Sequence, residues 1–112
     1  MYRASALAAF LIAFAGASTA LASSVIDANV TYVGIYGDGR FYVGLDTTIN
    51  ESNCNADRID VPPTHPQIKN WLAIVMTALA TGRPVRVKTS GCWGPWPTMS
   101  QGPDSFVYLM TQ

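Results

Sequence analysis

The sequence predicts a small, mainly β domain with one helix, in the order β-β-β-α-β-β, clasped by a single disulfide. Three observations carry this. Short runs of alternating apolar and polar residues lie on both sides of residues 64–82. That central stretch alone repeats its apolar residues at helical spacing. Two cysteines, Cys54 and Cys92, follow an export signal and so meet oxidising conditions.

The export signal occupies residues 1–22. Arg3 supplies the positive start, and Ala6 to Ala15 form a short apolar run. Ala20-Leu21-Ala22 then offers an A-x-A cleavage pattern, with Ser23 as the new N-terminus. A membrane span needs roughly 20 apolar residues, and Gly16, Ser18 and Thr19 interrupt this one. Residues 23–112 are expected to be a single domain, secreted or periplasmic, with no membrane span after cleavage. Removing 22 of 112 residues leaves 90. A chain that short buries only about 60–65% of its unfolded surface and needs a staple. The two cysteines, 38 positions apart, supply it as a disulfide. A metal site would need more ligands than these two and the lone His65 provide. No metal or cofactor is expected.

Residues 29–46 read as a hairpin around Gly37-Asp38-Gly39. A two-residue turn would scramble the apolar sets. A three-residue loop pairs Ile35 with Phe41 and Val33 with Val43, placing all four inward with Leu45, and Gly39 supplies the left-handed residue such a loop favours. Tyr32, Tyr36 and Tyr42 then share the outer face, with Gly34 and Gly44 between them. Residues 47–56 are polar and turn-rich. Arg58 to Val61 alternates as a third strand, and Pro62-Pro63 ends it.

Thr64 and Gln67 have capping-box spacing, Pro66 suits a first helical turn, and Gly82 followed by Pro84 stops the helix. Ile68, Trp71, Leu72, Val75, Met76 and Leu79 form the expected core stripe. The opposite face holds Lys69, Asn70, Ala73, Ile74, Thr77, Ala80 and Thr81, with a single charge. Ala73, Ile74, Thr77 and Ala80, mostly small and all uncharged, suggest a second packing face for self-assembly. A weakly polar surface helix is the blander alternative.

Pro84 to Thr89 alternates as a fourth strand, Val85 and Val87 inward. A Gly/Pro-rich loop containing Cys92, Trp93 and Trp96 follows, and Ser105 to Thr111 closes the domain. Five strands with one helix between the third and fourth is the arrangement of the OB-fold, a small Greek-key barrel. An open α+β sheet is the alternative.

Charge is scarce: six basic residues face seven acidic ones after cleavage, a net of minus one. A basic surface for nucleic acid is absent. The inventory for catalysis is thin too. His65 sits in Pro63-Thr64-His65-Pro66 at a helix start, where a capping role is expected. Asp57 and Asp60 are three apart on a strand, hence on opposite faces, and cannot act as a carboxylate pair. Gly37-Asp38-Gly39 does not open a helix, so it is no phosphate loop. A non-enzymatic protein is expected.

Aromatic residues are the informative ones for binding. Trp93 and Trp96 lie in a loop, where core packing is a weaker explanation, and flat aromatic faces suit sugar rings or apolar side chains. Against this, Trp93 could simply lid the barrel over the disulfide, and β-propensity alone explains tyrosines at 32, 36 and 42. Asn29-Val30-Thr31 and Asn50-Glu51-Ser52 match glycosylation sequons, relevant only in a host that glycosylates.

The segment W-L-A-I-V-M-T-A-L-A-T-G-R-P-V-R-V, residues 71–87, resembles the B subunits of AB5 toxins of the subtilase cytotoxin and pertussis-like groups. The Gly-Asp-Gly hairpin and the cysteine pair fit that layout more loosely. The resemblance implies an OB-fold, pentameric rings with helices lining a pore, and recognition of host glycans. No sugar-binding position of that family is carried over onto this chain. The leading expectation is therefore an exported module that self-associates and binds an extracellular glycan. The alternative is a monomeric secreted or periplasmic domain that binds a protein, as an inhibitor does.

Overall fold

The computed structural model describes residues 25–111, so the export signal expected at 1–22 lies outside the described residues. Among the described residues the chain is mostly β with one helix. Its elements are β1 (Ile26–Ala28), β2 (Val30–Ile35), β3 (Phe41–Leu45), β4 (Arg58–Val61), α1 (Ile68–Thr81), β5 (Val85–Lys88), β6 (Cys92–Trp93), β7 (Trp96–Pro97) and β8 (Phe106–Leu109). One sheet has the order β1-β5-β8, a second β2-β3-β4, and β6 pairs β7 in a small hairpin.

Both sheets are antiparallel and open, and Asn29 alone separates their first strands. At this corner Asn29 donates its backbone N–H to Asp46 Oδ1 over 2.8 Å and its side-chain amide to Oδ2 over 3.1 Å. Asp46 returns its own N–H to the Asn29 carbonyl. A register shift between Val30 and Tyr32 follows immediately, leaving one extra residue on β2. The corner and bulge turn the chain from one sheet into the other. From the sequence, the first strand is expected to start at residue 29; the structure adds a separate strand, Ile26–Ala28, ahead of it. Among the described residues, β4 and β8 are not paired with each other.

The N–H bonds from Asn29 hold the Asp46 carboxyl below its ordinary value of 3.8, and those from Arg86 do the same for Asp27. A depressed folded-state value means the associated stability is present above 3.8 and fades as pH falls below it. Thermal melts should therefore show a loss of stability below about pH 4. Asp46→Asn should flatten that acid limb; an identical limb in the variant would refute the assignment.

The hairpin register is as expected: Ile35 faces Phe41 and Val33 faces Val43, and Gly39 takes a positive φ of 93°. Ile35 itself is 58% exposed, contrary to the inward placement. The strand runs past the end of the core there, so pairing without cover leaves it in solvent. Phe41, Val43, Leu45, Ile59 and Val61 from one sheet meet Ala28, Val85 and Val87 from the other, with Met99 closing in from the long loop.

Helix α1 covers this core with a stripe one step from the expected one. Val75 and Ala78 are buried, Trp71, Leu72 and Ile68 pack partly, and Met76 and Leu79 are 50% and 40% exposed. Ala78, 1% exposed, is small enough to let the helix backbone approach the sheet. Adjacent helical rows differ by one residue, about 100° of rotation, which apolar spacing alone resolves poorly. Ile74 consequently packs against the core and leaves the predicted interface set, while Ala73, Thr77 and Ala80 stay exposed.

The helix start also differs from the capping box. Gln67 is the N-cap, with no cap bond from its side chain, and its N–H goes to His65 Nδ1 at 3.0 Å. His65 is 4% exposed, its Nε2 meets the Ser100 carbonyl at 3.0 Å, and its ring lies 4.2 Å from that of Trp71. The histidine therefore works as a structural cap tying the helix to the long loop. Gly82, at a φ of 71°, closes the other end with its N–H on the Ala78 carbonyl.

Candidate ligand-binding surface

On the outer face of β2 and β3, each tyrosine lies opposite a glycine of the neighbouring strand. Tyr32 pairs with Gly44 and Tyr42 with Gly34. A Cβ at Gly34 would collide with the Tyr42 ring, and one at Gly44 with the Tyr32 ring. The glycines thus give the rings room to lie flat across the strands. Tyr32 and Tyr42 meet edge to face at 6.1 Å, and Tyr36 and Tyr42 stand 5.0 Å apart.

The neighbouring strand β4 contributes Arg58, two residues from Asp60 and so on the same face. Arg58 donates Nε to Asp60 Oδ1 at 2.8 Å and Nη2 to Oδ2 at 3.0 Å; the same Nη2 reaches the Tyr36 hydroxyl. Its guanidinium centre is 4.7 Å from the Tyr42 ring centroid and 4.4 Å from that of Trp96. Burial opposes the charge, but the bonds to Asp60 and Tyr36 outweigh it and hold Arg58 above the ordinary arginine range. Asp60 is fully buried beneath it.

A second arginine repeats the arrangement. The Arg40 guanidinium lies 4.1 Å from the Tyr36 ring and 5.2 Å from that of Trp93. Its nearest carboxylate among the described residues, Asp38, is 4.0 Å away, a loose pair, and its buried Nε has no hydrogen-bond partner among them. Two rows result. Tyr32, Tyr42, Arg58 and Trp96 form one, and Tyr36, Arg40 and Trp93 the other.

The tryptophans arrive on the β6–β7 hairpin, where Trp93 and Trp96 pair directly across a turn at Gly94-Pro95. Gly94 has a φ of 64°, which a larger residue adopts only with strain. Three ties hold this hairpin in place. Cys92 is bonded to Cys54, with a Cα–Cα distance of 5.7 Å. Asn55 donates its N–H to the Pro95 carbonyl at 2.7 Å. Below the strands, Ser90 donates its N–H to the Thr98 carbonyl, and Thr98 donates its own to the Gly91 carbonyl. Such a disulfide is of the kind that persists in oxidising compartments such as the periplasm or the extracellular medium.

All five aromatic residues singled out from the sequence, Tyr32, Tyr36, Tyr42, Trp93 and Trp96, therefore meet on one surface. Trp93 is half-buried beside Arg40, with one ring face engaged by the guanidinium. Arg40 and Arg58 were missed. Their signal was present: Arg40 follows the hairpin tip immediately before β3, and Arg58 holds an outward position of β4 two residues from Asp60. Ala73, Thr77 and Ala80 belong to the separate, helical face.

Among the described residues, no cluster of three or more His, Cys, Asp and Glu is placed to hold a metal ion. No described helix is long and apolar enough to cross a membrane. Compared with known protein families, curated proteins and solved structures, the chain matches none of them.

Proposed function

We propose that this chain is an exported, non-enzymatic module that binds glycans through the tyrosine–tryptophan–arginine surface, on a five-stranded OB-like barrel. The observation that carries this is the interleaving of five aromatic rings with two guanidinium groups on one face. Aromatic faces accept the apolar C–H face of a sugar ring, and neighbouring N–H and O–H groups engage its hydroxyls. Arg58 is consumed by Asp60 and Tyr36 and so positions the rings. Arg40, only loosely paired, is the cation left for a ligand. The junction of the two sheets at Asn29, which lays the strands out as β4-β3-β2/β1-β5-β8 around one core, supports the barrel reading.

The module is further proposed to self-associate through α1. Between Lys69 and Arg83 the helix carries no charge. Thr77 and Thr81 turn their hydroxyls back to the carbonyls of Ala73 and Thr77, at 2.8 and 2.7 Å, and so spend them within the helix. With Met76 and Leu79 exposed beside Ala73 and Ala80, this face is largely apolar.

A glycan array probed with the oxidised mature protein tests the binding half. Specific hits should weaken tenfold or more in Trp96→Ala, equivalent to about 1.4 kcal/mol, with the circular dichroism spectrum kept. An array without hits, alongside capture of one protein partner independent of sugar, would favour the inhibitor-like alternative, to which the rigidly clasped β6–β7 hairpin is also suited. Light scattering tests the other half: Ala73→Glu should leave a folded chain that no longer associates. A wild-type protein that stays monomeric at high concentration would refute self-association.

A further inference from the structure

The second sheet carries a constellation unrelated to the aromatic–arginine surface. Its register places Asp27, Arg86 and Tyr108 side by side across β1, β5 and β8. Their strand neighbours Ala28, Val85 and Val87 are buried in the core, so this row faces outward. Arg86 grips Asp27 with both prongs, Nε to Oδ1 at 2.6 Å and Nη2 to Oδ2 at 2.8 Å, and Nη1 reaches the Tyr108 hydroxyl at 3.3 Å. Phe106 stands two residues from Tyr108 on the same face, their rings 5.9 Å apart and within 20° of parallel. With Val25, 48% exposed, these residues line an open depression of about 590 Å³.

An exposed cross-strand ion pair by itself contributes little and signifies nothing. What sets this one apart is the polar capacity it leaves unspent beside two parallel rings. A guanidinium has five N–H groups, and the three bonds above use three of them. Among the described residues, each Asp27 carboxylate oxygen accepts one bond and keeps a lone pair. The Tyr108 hydroxyl accepts from Arg86, so its own proton is available to donate. Donors and acceptors thus sit a few ångströms apart in a fixed fork, while the charges of Asp27 and Arg86 cancel. Such an edge matches two adjacent hydroxyls, one donating to Asp27 and one accepting from Arg86, with the ring's C–H face lying on Phe106 and Tyr108.

We propose that the outer face of the β1-β5-β8 sheet is a second binding site, taking a neutral pyranose through a vicinal diol. The matched charges select against anionic ligands, which would face the Asp27 carboxylate. The site shares no residue with the tyrosine–tryptophan surface, so either can fail without the other. If both bind, each subunit holds two sugars and gains avidity on a branched or dense glycan display.

The test is a 15N and methyl NMR titration of the mature oxidised protein with methyl α-D-mannopyranoside and methyl β-D-galactopyranoside. Saturable shifts are expected at Asp27, Arg86 and Tyr108 for at least one of them, unchanged in Trp96→Ala. Arg86→Lys keeps the charge and loses the fork, and Tyr108→Ala removes a ring; each should weaken that binding about tenfold or more. Both positions are at the surface, and retained dispersion of the spectrum confirms folding. Absence of saturable shifts for both glycosides, shifts confined to the Tyr32–Trp96 surface, or full binding in Arg86→Lys and Tyr108→Ala would each overturn the proposal.

Discussion

Replacing Cys54 and Cys92 by alanine is expected to lower the melting temperature by about 15–30 °C, and reduction with a thiol to do the same. The bridge closes a loop of 38 residues. In the chain-entropy description, a loop of that length restricts the unfolded chain by about 4 kcal/mol. A domain under 100 residues loses roughly 4–8 °C for each kcal/mol, and its whole stability is on the order of 5–10 kcal/mol. The loss is also local. Without the bridge, the β6–β7 hairpin keeps only its hydrogen bonds, such as that from Asn55 to Pro95, so Trp93 and Trp96 lose their fixed place beside the arginines. Ligand affinity at the aromatic surface should fall before the core melts. Calorimetry of the oxidised and double-alanine proteins checks this; coincident transitions would mean the bridge contributes nothing.

Arg58→Ala is expected to cost about 3–5 kcal/mol, the usual penalty for stripping one partner from a buried ion pair. Asp60 has no exposure to water, and Arg58 is its cation on the outer side. Removing the guanidinium leaves a buried carboxylate on that same face with its charge uncompensated, and it also withdraws the plane held between Tyr42 and Trp96. The double variant Arg58→Ala with Asp60→Ala should recover much of the loss, because no buried charge then remains. Sugar binding should not recover with it, since the rings stay unsupported. Urea denaturation of the single and double variants gives the measurement. A single variant within about 1 kcal/mol of wild type would show that the pair is not buried in solution.

Much of the fold was legible in the residues. Hairpin register could be read because a slip of one residue moves every apolar side chain to the other face, and only a three-residue loop satisfied Val33, Phe41 and Val43 together. Gly82 and Pro84 marked the helix end, since each restricts the backbone locally. Other features were illegible for equally physical reasons. The break at Asn29 depends on Asp46, seventeen residues away, accepting its N–H groups. The cap on α1 comes from His65, whose ring orientation is fixed by the Ser100 carbonyl thirty-five residues on. The two-residue strands Cys92–Trp93 and Trp96–Pro97 are too short to show a period.

The candidate surface divides the same way. Its tyrosines and tryptophans stood out as aromatic residues on an outward strand face and in a loop, where the core has no claim on them. Their convergence did not, because it needs the disulfide to swing residues 92–97 over β4. Arg40 and Arg58 looked like ordinary surface charges until their rings were in place.

By itself, the sequence determined the longer strands and the helix between them, the pairing across the Gly37–Gly39 turn, and the sulfur chemistry, all of which rest on neighbours in the chain or on composition. Tertiary structure alone decided which row of α1 is buried, where one sheet gives way to the next, and which aromatic face meets which guanidinium. Those outcomes depend on distances between residues far apart in the chain, and the spacing of apolar side chains carries no record of them.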